Sequence, residues 1–319
     1  MKKFGWAVMM LAVTTAFGQR VENTSSYRNI GAEHYVRVNY ENDFFALSDE
    51  YYTQGVNIEF VAPAMAKFPL AKLLYQNKHL PTRTGIAIEH QGFTPSNILT
   101  GDVLERDRPY SSSLMLKTFS MISNPHTNHR LATQFSLGVI GPWAMGKEIQ
   151  IALHERINPD KVPKGWKNQV HNDIILNYQV EYEHGLWVKR NFIVTAKGGA
   201  RAGTYNTRLS SSFTMMGGYF DNPFQFANSQ NKKFQVYFFA EPQLNLVVFD
   251  ATLQGGVFND RSPYTLDRNE ISRFVFQQNA GLVIKIKSLV LEYSQALITR
   301  EFKAGTAHSW GSVRAAWSF

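Results

Sequence analysis

The chain closes on GSVRAAWSF (residues 311–319), and the reading of this stretch decides the fold. Val313, Ala315, Trp317 and the terminal Phe319 share one parity, the two-residue period of a strand whose successive side chains point to opposite faces. The same alternation recurs upstream. Leu176, Tyr178, Val180 and Tyr182 fall on one side of their segment, and Asn177, Gln179, Glu181 and Glu183 on the other. Leu131, Phe135, Leu137 and Val139 oppose Gln134, Ser136 and Gly138 in the same manner. A soluble sandwich also alternates, with its apolar face turned inward, so alternation alone leaves two architectures open.

The two ends of the chain separate them. Met1-Lys2-Lys3, a mostly apolar run over residues 4–17 and small residues up to Gly18 read as a signal peptide over residues 1–18. A last strand ending in Phe resembles the C-terminal strand of bacterial outer-membrane barrels. Export, 13% aromatic content and polar alternate faces together imply an all-β fold, an antiparallel transmembrane β-barrel over residues 19–319. Twelve candidate strands start near residues 35, 54, 85, 112, 130, 174, 192, 207, 235, 272, 289 and 311. An even count closes such a barrel with both termini on the periplasmic side. No later stretch offers the roughly 20 apolar residues of a membrane-spanning helix, and no Pro/Gly/Ser-rich linker divides the chain.

Composition removes several function classes. Without Cys there are no disulfides and no thiolate metal sites. With Lys2 and Lys3 cleaved, 31 basic residues face 25 acidic ones without any block of like charge, which argues against nucleic-acid binding.

With periplasmic termini, connections one-to-two, three-to-four and five-to-six lie outside the cell, and all three are unlike short barrel turns. The first, NDFFALSDEYYTQG, holds Asn42, Asp43, Asp49 and Thr53; the second, FTPSNILTGDVLERDRPY, holds Arg106, Asp107 and Arg108. The third, GPWAMGKEIQIALHERINPDKVPKGW, has helical spacing, which predicts a short helix in an extracellular loop. Gln150 and His154 stand four apart on one face of that helix, and Met145, Ile149, Leu153 and Ile157 form an apolar stripe that predicts packing against the barrel rim. An imidazole among carboxylates is suited to general-base work. Asp43, Asp49, Asp107 and Asp160, with Asn42 and Thr53, are oxygen donors of the type Ca²⁺ prefers, although for each acidic or amide residue taken singly a turn role is the commoner one. By parity Asp43 and Thr53 face the lumen, and Asn42 does not. The region between strands two and three, AMAKFPLAKLLYQ, predicts a short interfacial helix.

On these residues the chain resembles the lipid A 3′-O-deacylase family of outer-membrane enzymes. NDFF, YYTQG, FTP…DRPY and GVIGPWAMGKEIQIALHERI…GW carry the resemblance, which spans nearly the whole mature chain in layout. It implies a twelve-stranded, monomeric barrel hydrolysing an ester-linked acyl chain of lipid A in the outer leaflet with Ca²⁺ dependence. His154 would be the general base, with Asn42, Asp43, Thr53 and Gln150 in the site. Asn42, Asp43 and Asp160 would serve the metal, and Arg106, Asp107 and Arg108 the lipopolysaccharide substrate. Asp160 stands where the family pattern leads one to expect Glu. Two alternatives remain at this stage: a pore or binding barrel lined by its polar face, and a serine-type phospholipase barrel. Against the latter, no Gly-x-Ser-x-Gly occurs, and Ser111-Ser112-Ser113 lies at a strand start.

Overall fold

The computed structural model of the chain describes residues 24–43, 51–77, 79–157, 159–225 and 232–319. The expected signal peptide, Asp49 and the two phenylalanines of NDFF lie outside them. Twelve strands form a closed antiparallel barrel, β1 pairing with β12. They are β1 (Tyr35–Asn42), β2 (Tyr51–Val61), β3 (Thr82–Thr94), β4 (Ser111–Asn124), β5 (His129–Ile140), β6 (Asp173–Val188), β7 (Phe192–Gly203), β8 (Asn206–Tyr219), β9 (Phe234–Asp250), β10 (Phe274–Ile286), β11 (Leu289–Ile298) and β12 (His308–Ser318). Every strand start expected from the sequence falls within three residues of the observed one. Among the described residues no helix is long and apolar enough to cross a membrane.

Alternation sorts the wall as expected. Val36, Val38, Ile58, Ile88, Leu291, Val313 and Trp317 are exposed on the outside, while Arg37, Asn39, Glu41, Asn57, Glu59 and Arg314 are buried inside. The lumen is filled with ion pairs: Arg37 with Glu59, Lys117 with Glu89, Lys197 with Glu241, and Arg314 with both Glu41 and Glu292. Charges removed from water survive only when paired and hydrogen-bonded, and here each finds a partner on a neighbouring strand or across the barrel.

The region between β2 and β3 departs from expectation. It forms two 3₁₀ turns, Pro63–Lys67 and Pro69–Leu73, instead of one helix. Pro69 forces Phe68 into an extended conformation, φ −60° and ψ 134°, and ends the first turn there.

The two ends of the barrel differ. At the end where β1 begins and β12 finishes, called the inner end, residues 24–32 lie inside the lumen ahead of β1. At the opposite, far end, the long connections after β3, β5, β9 and β11 gather. One of them holds the helix α1 (Gly146–Ile157), and another the short helix α2 (Ala251–Gln254).

Candidate functional site at the outer wall

The outward face of β1 to β4 changes character toward the far end. Val38, Ile58, Ile88 and Leu114 are exposed, as lipid-facing residues should be. Two to four residues closer to the far end, on the same parity, stand Asn42, Gln54, His90 and Ser112, all buried. Polar side chains on the outside of a barrel are buried only when something covers them. For two of them the cover is the connection after β5. His90 Nε2 lies 3.0 Å from the Ala144 carbonyl, and the Ser112 hydroxyl donates to the Gly141 carbonyl at 3.2 Å. Gly141 adopts φ +97°, which permits this fold-back, and a Cβ there would lie 2.6 Å from the His171 backbone. A Cβ on Gly146 would meet Ser112 Cβ at 2.3 Å, so the first turn of α1 lies directly on the wall.

Thr53 corrects the parity expectation. The register shifts between Tyr52 and Gln54, which pair with the successive residues Phe93 and Gly92. Thr53 is therefore the extra residue of a bulge, the device by which strands re-aim a side chain next to functional sites. Tyr52 points into the lumen, its hydroxyl donating to Glu41 at 2.7 Å, and Gly55 is required because a Cβ there would lie 1.9 Å from that hydroxyl. Thr53 shares a 2.7 Å hydrogen bond with the Thr94 hydroxyl, and its carbonyl accepts from Asn42 Nδ2 at 2.8 Å. Asn42 and Thr53 are thus brought together at the rim, with the buried Asp43 next in sequence.

The helix carries the second pair. Glu148 in its first turn and Arg156 in its last complement its dipole. Gly146, Gln150 and His154, spaced by four, form its covered line: Gly146 and Gln150 are buried and His154 half-buried. The expected apolar seat is absent among the described side chains, Ile157 lying outside them. Met145 and Ile149 are exposed, as is Trp143 before them, and Leu153 is only half-buried. The polar face turns inward because the wall beneath it is polar, and the apolar residues turn outward, as suits the lipid-facing side of a membrane barrel. The Trp166 indole donates to Gln150 Oε1 at 2.7 Å, which fixes the amide orientation and leaves Nε2 as the free donor. Gln150 Nε2 and His154 Nδ1 are both shielded from solvent and have no hydrogen-bond partner among the described residues. Buried polar atoms are normally satisfied, so two of them one turn apart call for a ligand or ordered water.

The remaining expected residues lie elsewhere. Asp107 organises its own loop, accepting from the Ser96 backbone and hydroxyl and from the Arg108 amide. Arg106 is exposed with φ +63°. Arg108 is fully buried over the mouth of the lumen, paired with Glu301, bonded to Thr252 at 2.8 Å and stacked on Phe93 at 4.3 Å. Burial raises the Glu301 carboxyl above its ordinary value, against the opposing pull of Arg108. These groups line a cleft in the far half of the lumen together with Tyr52, His308 and Trp310. Asp160 lies exposed in the turn Pro159–Lys161, which packs against α1. Ser111, Ser112 and Ser113 are all buried, their hydroxyls engaged with the Thr252 carbonyl, the Gly141 carbonyl and the Tyr205 hydroxyl, which gives a serine nucleophile no support.

Whether this rim suits Ca²⁺ rests on its donors. The Asn42 amide, the buried Asp43 carboxylate and neighbouring carbonyls are hard oxygen ligands and fit a site of one carboxylate completed by neutral oxygens and water. Among the described residues no group of three or more His, Asp or Glu side chains converges to form a richer cage.

Sequence reasoning did not find Thr94, His90 or the role of Trp166. A bulge and a tertiary hydrogen bond leave no local period, although Trp166 stood at the end of the motif that carried the helix.

Comparison with known proteins comes from two directions. A family described as outer membrane protein LpxR matches residues 5–319. Among solved structures, LpxR from Salmonella typhimurium superposes with a TM-score of 0.72 at 19% identity, covering 89% of this chain and 100% of that one. The β domain of the Bordetella autotransporter Brka follows with a TM-score of 0.46 at 10% identity, covering 91% of this chain and 100% of that one. No curated protein sequence matches the chain.

Proposed function

The chain belongs to the LpxR family of outer membrane proteins, and from that premise we propose that it is a Ca²⁺-dependent lipid A deacylase, hydrolysing the ester of a 3′-acyloxyacyl group at the extracellular rim of its barrel. The observation that carries the reading is the pair of shielded, partnerless atoms, Gln150 Nε2 and His154 Nδ1, held on the covered face of α1 against a polar stretch of outer wall. An outer-wall site suits a substrate that never leaves the lipid leaflet, and the exposed Trp143, Met145 and Ile149 offer apolar contact to its acyl chains.

The residues divide the work of ester hydrolysis. His154 takes a proton from the attacking water and returns it to the departing sugar oxygen, the two halves of general acid–base catalysis. Gln150, its carbonyl oxygen already held by Trp166, directs its N–H toward the oxygen on which negative charge develops, a preorganised donor of the oxyanion-hole type. Asn42 and Asp43 would hold Ca²⁺, completed by neutral oxygens and water; when bound, the ion would supply Lewis-acid polarisation of the ester carbonyl. Thr53, fixed by the bulge and by Thr94, sets the position of Asn42 through its carbonyl. Arg106, exposed on its loop, would meet substrate phosphate, whereas Arg108 and Asp107 hold the loop that presents it.

The test is mass spectrometry of lipid A from cells with and without the protein. The expected result is loss of one acyl chain, abolished by chelating Ca²⁺; unchanged lipid A in cells whose outer membrane contains the folded barrel would overturn the proposal.

A further inference from the structure

The inner half of the lumen is occupied by the chain itself. Residues 24–32 run inside the wall from the middle of the lumen, at Glu181 of β6, towards the inner end, at Arg83 of β3, before β1 begins, and their contacts reach strands all around the barrel. Thr24 donates to Glu181 on β6 at 2.7 Å, and Lys197 on β7 donates to the Ser25 hydroxyl at 3.1 Å. The Tyr27 ring stacks on Phe239 of β9 at 3.9 Å, its hydroxyl reaching Glu241 at 3.0 Å, while its carbonyl accepts from Tyr237 at 2.7 Å. Phe239 lies over Gly281 of β10, where a Cβ would come within 2.8 Å of its ring, so the wall is indented at that strand. Arg28 pairs with Glu292 on β11 at 3.5 Å, and its carbonyl accepts from Arg37 on β1 at 3.0 Å. Asn29 accepts from Arg83 on β3 at 2.7 Å and donates to the Pro223 carbonyl at 3.0 Å. Tyr27, Arg28, Ser25, Ser26 and Ile30 are all buried.

From this geometry we propose that residues 24–30 are a built-in plug that seals the lumen, making the barrel a scaffold for its outer wall and not a conduit for solutes. Two physical arguments carry it. The segment is held by side chains of six strands, β1, β3, β6, β7, β9 and β11, so no local opening of one hairpin releases it. Its removal would leave Glu241, Glu292 and Arg83 in a lumen already dense with charge, and such groups draw water when a partner leaves. Tyr27 contributes both an apolar ring and a hydroxyl that finds its acceptor, the combination that lets an aromatic group sit among charges. The proposal stands apart from the deacylase reading, because it concerns permeation alone.

The absence of Cys from the natural chain makes a clean test. Ser212, a buried lumen-facing residue whose hydroxyl donates to Glu241 at 3.0 Å, is replaced (Ser212→Cys) as the sole thiol. Labelling by a membrane-impermeant maleimide is compared in the full chain, in a variant lacking residues 24–30, and in one carrying Tyr27→Ala with Arg28→Ala, which keeps the chain length. Folding of each is verified by heat-dependent migration on a gel. The full chain is expected to protect the thiol and to show no conductance steps in planar bilayers. Either folded variant is expected to label about tenfold faster or more, the signature of a site opened to solvent. Conductance by the full chain, or equal labelling in the full chain and a folded variant, would overturn the proposal.

Discussion

The outer wall of β1 to β4 carries two surfaces within a few residues of each other. Over most of its height Val36, Val38, Ile58, Ile88 and Leu114 meet lipid and need nothing else. At its far end Asn42, Gln54, His90, Thr94 and Ser112 are buried, two of them visibly beneath the returning connection after β5. The lower surface is explained by the solvent around it. The upper one is explained by what covers it and, on the proposed function, by what it would bind. A site built on the outside of a barrel is thus marked by polar residues on the lipid parity, the reverse of the signal for a lumenal site.

The contrast predicts that changes on the two surfaces separate folding from chemistry. The largest effect expected short of losing the base itself belongs to Gln150→Leu, which removes the donor that Trp166 orients. Turnover should drop by about 10²–10³-fold with KM nearly unchanged, as for loss of one preorganised oxyanion donor, measured by lipid A release kinetics on the refolded barrel. On the lower surface, Ile88→Arg should destabilise the barrel by about 2–4 kcal/mol in urea titration from bilayers while leaving turnover per folded molecule unchanged. An equal loss of turnover there would erase the distinction between the surfaces. Trp166→Phe keeps the packing against Tyr110 but frees the Gln150 amide; a loss of turnover of about tenfold is expected, well short of that of Gln150→Leu, because the donor stays present but disordered. The smallest effect is Thr94→Val, which deletes the hydroxyl that holds Thr53 and should cost about 1 kcal/mol of stability, visible as a lowered urea midpoint at constant slope.

The sequence made the barrel legible because both of its faces repeat every two residues, and lipid outside with ion pairs inside keeps that period strong in nearly every strand. Gly141-Pro142 and the spacing of Gln150 and His154 made the helix legible as well. Its orientation was not, since a stripe such as Met145 and Ile149 reads as a core-facing seat wherever water is the solvent, and here they turn outward. Thr53 was misplaced by a single bulged residue, which reverses parity without leaving any mark in composition. The plug was invisible for another reason. Its contacts join Tyr27 to Phe239 and Glu241, more than two hundred residues away, and no local pattern encodes a partner at that separation.

One measurement tests the central claim most directly. Purified lipid A is incubated with Ca²⁺ and either the refolded natural chain or His154→Ala, each verified as a folded barrel by heat-dependent migration, and the products are weighed by mass spectrometry. The account predicts release of one acyl chain by the natural protein and a rate lower by about 10²–10⁴-fold for the variant, the usual worth of a general base. Undiminished deacylation by folded His154→Ala would contradict it.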